Sequence, residues 1–74
     1  MIDAKQLEAL YEVTRQGRFD TAAKQLNITP SAISQRVKAL EAAMGTTLLL
    51  RGREVAATSA GEYVLEFTPK SSKP

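Results

Sequence analysis

Only about three residues, 27–29, separate two stretches of helical patterning, and this short spacing constrains the fold more than any other feature. Asn27 is a residue type that tolerates the left-handed conformation with which many helices end. Thr29 is a good N-cap for the following helix, and Pro30 suits the first helical position, where no N–H is needed. A short helix, a tight turn and a longer helix have the spacing of a helix-turn-helix.

The two helices around this turn have recognisable limits. Asp20 or Thr21 is predicted to cap the short helix, and its adjacent alanines, Ala22 and Ala23, allow a neighbouring helix to approach closely. The longer helix is predicted to run from Pro30 to Met44, with Gly45 ending it.

A further helix precedes this pair, over about residues 4–16. Asp3 is a suitable N-cap, and Gln6 stands three residues later, as in a capping box. Leucine and other apolar residues then recur at helical spacing, and Gly17 provides the stop. The three helices together predict a small helical core.

The segment "TLLLRGREVAAT" is predicted to form two short strands with a turn near Gly52 and Arg53, although "TLLL" could also pack into the core as coil. A fourth helix follows over residues 59–67, with Ser59 and Glu62 in capping-box spacing and Thr58 as the alternative cap. The polar tail, 68–74, is predicted to be disordered. The fold class is therefore mainly α: a three-helix core, a small β-hairpin wing and a fourth helix.

The composition excludes several classes of function. A chain of 74 residues forms one small domain, which buries only about 60% of its unfolded surface. Cysteine and histidine are both absent, which removes disulfides, the usual zinc sites and histidine-based catalysis. No catalytic, metal or cofactor constellation is evident, so an enzyme is not expected. Without a signal peptide or an apolar span of about 18 residues, the chain is predicted to be cytoplasmic and not membrane-bound.

Positive charge is concentrated in the middle of the chain. Residues 15–53 carry seven Lys or Arg side chains against two acidic ones, whereas residues 1–14 and 54–74 each carry more acidic than basic side chains. This asymmetry suits a centre that binds a polyanion. The acidic pairs Glu8/Glu12 and Glu62/Glu66 are interpreted as solvated helix faces.

The longer helix of the helix-turn-helix has two distinct sides at 100° per residue. Its apolar stripe, Ile33, Val37, Leu40 and Met44, is predicted to enter the core. Small hydroxyls, one amide and one cation occupy the other side, within the part of a recognition helix that reaches base edges. These side chains are Ser31, Ser34, Gln35 and Lys38.

Phosphate contacts are predicted for five polar or basic side chains: Thr21, Arg36, Lys38, Arg51 and Arg53. Some have alternatives that the sequence leaves open. Arg36 lies beside the core stripe and could instead form an ion pair with Glu41 or Asp20. Thr21 could simply cap its helix, and the wing arginines could be ordinary solvated turn charges.

The stretch "GRFDTAAKQLNITPSAISQRVKALEAAMGTTLLLRG", followed by "TSAGE", resembles the N-terminal winged helix-turn-helix domain of LysR-type transcriptional regulators over about residues 4–67. Within that family, "SAISQRVKALE" and "LLLR" are most similar to regulators of basic amino-acid export. The resemblance implies base-reading positions at Pro30, Ser31, Ser34 and Gln35, and phosphate contacts from Thr21, Lys38, Arg51 and Arg53. One departure is Leu49, where an aromatic residue is common.

The resemblance also implies how the chain is organised. Residues 1–58 correspond to the DNA-binding domain and 59–67 to the start of the linker helix that pairs two subunits, which Pro69 interrupts. In the family a ligand-sensing domain follows the linker helix, and the resemblance does not extend to it, so effector binding is not expected from this chain. A homodimer through the fourth helix is expected to be weakened, because that helix is short. We expect sequence-specific binding of double-stranded DNA. The alternative is a helical protein-interaction module that does not bind DNA.

Overall fold

The computed structural model describes residues 3–66, which form four helices and one two-stranded hairpin in chain order. The elements are α1 (Ala4–Gln16), α2 (Phe19–Leu26), α3 (Pro30–Met44), β1 (Leu49–Arg51), β2 (Val55–Ala57) and α4 (Ser59–Leu65). The predicted class, a mainly helical winged helix-turn-helix, is confirmed. The fourth helix was predicted over residues 59–67. In the structure its last residue is Leu65, and Glu66 is the C-cap. Phe67 and the predicted tail, 68–74, lie outside the described residues.

Most of the predicted helix ends are confirmed, because they depend on local chemistry. The capping box of Asp3 and Gln6 forms at the start of α1. Gly17, Asn27 and Gly45 end the first three helices in the left-handed conformation, with φ of 77°, 62° and 72°. These ends leave two residues between α1 and α2 and three between α2 and α3, so each helix must turn sharply into the next.

The predicted start of α2 is wrong. The helix begins at Phe19, and its N-cap residue is Arg18, which supplies no side-chain hydrogen bond. Asp20 lies inside the first turn, where its carboxylate accepts hydrogen bonds from Arg18 and from the N–H of Thr21. Neither Asp20 nor Thr21 is therefore the cap.

The hydrophobic core lies between the helices and beneath the hairpin. It contains Ile33, Val37 and Leu40 from α3, with Met44 partly buried against them, as predicted. The other buried members are Ala9, Leu10, Val13, Ala22, Ala23, Leu48, Leu49 and Val64. Both alanines of α2 are among them, which agrees with the close helix approach expected from small side chains.

The hairpin pairs its strands antiparallel, with Leu49 opposite Ala57 and Arg51 opposite Val55. The coil alternative for "TLLL" is also partly right, because Leu48 is buried in the core immediately before the first strand. Leu49 is buried as well, so the residue that departs from the family pattern fills a core position. The hairpin is therefore part of the packed domain and not a free flap.

The start of α4 is fixed by contacts distant in sequence. Thr58, the alternative cap, is the N-cap, and its hydroxyl accepts from the N–H of Gly61 at 3.0 Å. The same hydroxyl donates to the carbonyl of Thr47 at 2.8 Å, and the N–H of Thr58 donates to the carbonyl of Leu48 at 3.0 Å. The cap therefore joins α4 to the segment that enters the wing.

One acidic side chain was interpreted wrongly from the sequence. Glu12 is only 9% exposed, and its carboxylate accepts hydrogen bonds from Arg15 and Gln16 on the same helix. Glu8, Glu62 and Glu66 are exposed, as predicted. The pairs Glu8/Glu12 and Glu62/Glu66 have the same i,i+4 spacing, so the spacing could not show that Glu12 is the buried member. Its burial results from tertiary packing.

Candidate nucleic-acid interface

The N-terminal part of α3 presents polar side chains to solvent. Thr29 caps the helix by accepting from the N–H of Ala32 at 3.1 Å, and Pro30 occupies the first turn. Ser31, Gln35 and Lys38 are exposed, and Ser34 is half-buried. Among residues 3–66 none of these four side chains has a hydrogen-bond partner or an ion pair. Their donors and acceptors are therefore available to an external ligand.

Arg36 does not form either of the ion pairs considered for it. Both oxygens of the Asp20 carboxylate are engaged by Arg18, at 3.2 and 3.4 Å. The Glu41 carboxylate accepts from two backbone N–H groups, those of Leu48 and Leu49, through one oxygen at 2.9 and 3.3 Å. Within the described part of the chain Arg36 is half-buried and has no acidic partner.

Glu41 thus has a role that its sequence context did not predict. Its carboxylate connects the last turns of α3 to the backbone that leads into β1. Hydrogen bonds to a charged acceptor are among the stronger ones in proteins. The wing is therefore held at a defined position relative to α3.

The two wing arginines are in different environments. The Cζ of Arg51 lies 4.8 Å from the ring centroid of Phe19, the first residue of α2. Arg53 is exposed in the turn between the strands and has no partner among the described residues. The structure therefore brings the wing and the start of α2, two regions predicted to contact phosphate, against each other.

At the start of α2, Thr21 is exposed and its hydroxyl is unengaged within residues 3–66. Its N–H already donates to Asp20, so the hydroxyl is the donor of Thr21 that remains for a phosphate. The hydrogen bond from Arg18, with a second from the N–H of Thr21, lowers the pKa of Asp20. The negative charge of that carboxylate is matched by the guanidinium of Arg18.

Within residues 3–66 the structure shows neither a metal-binding cluster nor a membrane-spanning helix. Residues 3–66 contain no group of three or more acidic side chains placed to hold a metal ion. No helix in that range is both long and apolar enough to cross a bilayer.

Comparison with known proteins decides the family. Residues 4–62 match the family described as bacterial regulatory helix-turn-helix protein, lysR family. The chain belongs to the LysR family. The lysine export transcriptional regulatory protein LysG of Corynebacterium glutamicum is 43% identical over 65 residues, which cover 88% of this chain and 22% of that protein. The family and the resemblance to regulators of basic amino-acid export are therefore confirmed.

Two solved structures contain the same fold within longer chains. The crystal structure of ArgP from Mycobacterium tuberculosis matches with a TM-score of 0.89 at 42% identity, covering 97% of this chain and 27% of that one. Full-length CbnR, solved in complex with its target DNA, matches with a TM-score of 0.81 at 35% identity, covering 86% and 23%. This LysR-family chain thus spans about a quarter of the length of such relatives.

Proposed function

We propose that this domain binds double-stranded DNA in a sequence-specific manner, with α3 in the major groove. The observation that carries the proposal is the polar face at the start of α3. Ser31, Gln35 and Lys38 are exposed opposite a buried stripe, and none has a partner within residues 3–66. A major groove admits one α-helix, and the N-terminal residues of a recognition helix reach the base edges.

The base-reading role is assigned to Pro30, Ser31, Ser34 and Gln35. A glutamine amide pairs with adenine through two hydrogen bonds, and a serine hydroxyl can donate to or accept from any base. Pro30 offers an apolar ring that suits a thymine methyl group. The half-burial of Ser34 limits its reach, so we assign the strongest discrimination to Gln35.

The phosphate-binding role is assigned to side chains around that face: Thr21, Arg36, Lys38, Arg51 and Arg53. Arg36 and Arg53 have no acidic partner among the described residues, which supports this assignment. Each Lys or Arg that neutralises a phosphate adds about 0.9 to the slope of affinity against salt on logarithmic axes. Binding is therefore expected to be strongly salt-dependent. Binding by one copy is expected to be weak, because one copy presents a single recognition helix to one half-site.

The proposal is tested with Gln35→Ala and Lys38→Ala in the 74-residue chain. Wild type and Gln35→Ala are each used to select from a random-sequence duplex library, and the selected sequences are compared. Gln35→Ala should relax the preference at one base position, at a cost of about 1–3 kcal/mol in discrimination. Lys38→Ala should weaken binding to all sequences and lower the salt slope by about 1.

Lys5→Ala is the matched control for the charge. Lys5 is an exposed lysine at the start of α1, outside the basic central block. Its removal changes the net charge as Lys38→Ala does, but the salt slope should stay at the wild-type value. A folded chain with no affinity for any duplex at low salt would contradict DNA binding and favour the protein-interaction alternative.

We also propose that two copies pair through α4. A groove of about 340 Å³ lies between α1 and α4, lined by Tyr11, Thr14, Arg15, Glu62, Leu65 and Glu66. Its side chains combine apolar surface with charges of both signs, so the same patch on two copies can place opposite charges against each other across a two-fold axis. The seven residues of α4 span only about 10 Å, so the pairing should be weak. Sedimentation equilibrium that shows a monomer at every concentration would contradict this pairing.

The function of the whole protein is proposed from its relatives. Identity of 43% to a lysine export regulator supports a role in regulating transcription of basic amino-acid export genes, at DNA in the bacterial cytoplasm. This role requires binding and no catalytic step.

A further inference from the structure

The aromatic ring of Phe19 lies against the guanidinium group of Arg51. The distance of 4.8 Å from Cζ to the ring centroid is within the range in which a cation is attracted to an aromatic face. Arg51 is exposed, and its guanidinium N–H groups donate to no residue within 3–66. The planar guanidinium group is thus held through one of its faces, and not through the edge that carries its N–H groups.

The backbone next to this contact is fixed as well. Arg51 pairs across the hairpin with Val55, whose N–H donates to the carbonyl of Gly17 at 2.9 Å. Gly17 and Phe19 stand on either side of Arg18: Gly17 ends α1, and Phe19 is the first residue of α2. Phe19 itself packs against the hydrophobic core. Both residues of this hairpin pair therefore contact the chain where α1 passes into α2. Val55 bonds to Gly17, and Arg51 lies over Phe19.

The surrounding acidic groups do not hold Arg51. Asp20 is paired with Arg18, and it accepts from the N–H of Thr21. Glu54, the acidic residue of the wing, lies with its side chain near Gly17 and forms no ion pair with Arg51. The guanidinium charge is therefore uncompensated among the described residues, and its forked N–H edge is free. That edge has the geometry that binds a phosphate through two hydrogen bonds.

We propose that Phe19 is a positioning residue for DNA binding, which holds Arg51 with its free edge ready for one backbone phosphate. This inference rests on the proposed function and adds to it a residue that does not contact DNA. A long arginine side chain otherwise loses rotamer freedom when it binds, and a ring that restricts it beforehand reduces that loss. Phe19 then contributes to affinity only while Arg51 is present.

The test is a double-mutant cycle of Phe19→Leu and Arg51→Ala in the full chain, with a random-sequence duplex, since phosphate contacts do not depend on sequence. Arg51→Ala should lower the salt slope by about 0.9. Phe19→Leu should weaken binding roughly three- to tenfold, because Arg51 would then have to be ordered when the DNA binds. In the Arg51→Ala background, Phe19→Leu should have no further effect. Phe19→Tyr retains the ring and should bind as the wild type does.

A packing role alone would give a different result, because a general loss of stability weakens binding equally with or without Arg51. Circular dichroism establishes that each variant is folded at the assay temperature. If Phe19→Leu does not fold, a synthetic chain with pentafluorophenylalanine at position 19 keeps the ring and reverses its quadrupole, and it should show the same loss.

Additive losses, or wild-type affinity with the fluorinated ring, would overturn the inference. The proposed DNA binding would stand in that case, because the wild-type chain still binds. An Arg51→Ala chain with an unchanged salt slope would also overturn it. A wild-type chain that binds no duplex would refute the proposed function itself.

Discussion

A methyl group added at Gly61 would meet the backbone of the segment that enters the wing. The Cβ of an alanine there would overlap the carbonyl oxygen of Leu48 and lie 3.2 Å from its carbonyl carbon. It would also lie 3.3 Å from the Cβ of Ala57. Leu48 cannot move away easily, since its N–H donates to Glu41 at 2.9 Å and its carbonyl accepts from Thr58 at 3.0 Å.

The expected magnitude follows from two opposing effects. Alanine is favoured over glycine inside a helix by about 1 kcal/mol. Overpacking of a well-packed site costs about 1–3 kcal/mol, and a clash with fixed backbone belongs at the upper end of that range. Gly61→Ala should therefore reduce the free energy of unfolding by about 2 kcal/mol. For a domain of this size each 1 kcal/mol lowers the Tm by about 4–8 °C, so a decrease of about 8–16 °C is expected.

Two other glycines provide matched controls, followed by far-UV circular dichroism during thermal and urea unfolding. At Gly52 the nearest heavy atom to an added Cβ is 4.0 Å away, so Gly52→Ala should change stability by less than about 0.5 kcal/mol. Gly45 has open space but a φ of +72°, so Gly45→Ala should cost about 1 kcal/mol from backbone strain alone. A Gly61→Ala chain as stable as Gly52→Ala would refute the close approach of α4 to Leu48.

The other stability predictions use the same urea unfolding assay. Thr58→Ala should cost about 1–2 kcal/mol, because it removes the cap on Gly61 and the bond to Thr47, whereas Ser59→Ala should cost less than about 0.5 kcal/mol. Equal costs would contradict Thr58 as the cap. Glu41→Gln should cost about 1 kcal/mol, because a neutral amide accepts more weakly than a carboxylate from the N–H groups of Leu48 and Leu49. An unchanged midpoint would refute that role.

The elements of the fold were predictable because their signals are local. Asn27 and Gly45 end helices through their own backbone preferences, and Thr29 with Pro30 begins one through a side-chain oxygen and a missing N–H. The apolar stripe of α3 likewise identified both the core side and the exposed side of the helix. The residues of the candidate DNA-binding face could be chosen for that reason.

The errors arose where a local signal competed with distant contacts. Asp20 has the right chemistry for an N-cap, but α2 begins before it, at Phe19, whose side chain packs against the core. Glu12 and Glu8 have the same spacing on α1, yet only Glu12 is covered by the fold. The ion pairs considered for Arg36 failed because Asp20 and Glu41 have other partners.

By itself, the sequence determined the order and type of the elements, most of the helix ends and the polar face of α3, since each depends on residues within a few positions of one another. Only the tertiary structure decided which groups meet across the domain. Glu41 reaches Leu48 across seven positions in the chain. Arg51 reaches Phe19, and Gly61 lies against Leu48, across longer separations. Such contacts depend on how the hairpin and α4 pack onto the helices, and no periodicity in the sequence encodes that arrangement.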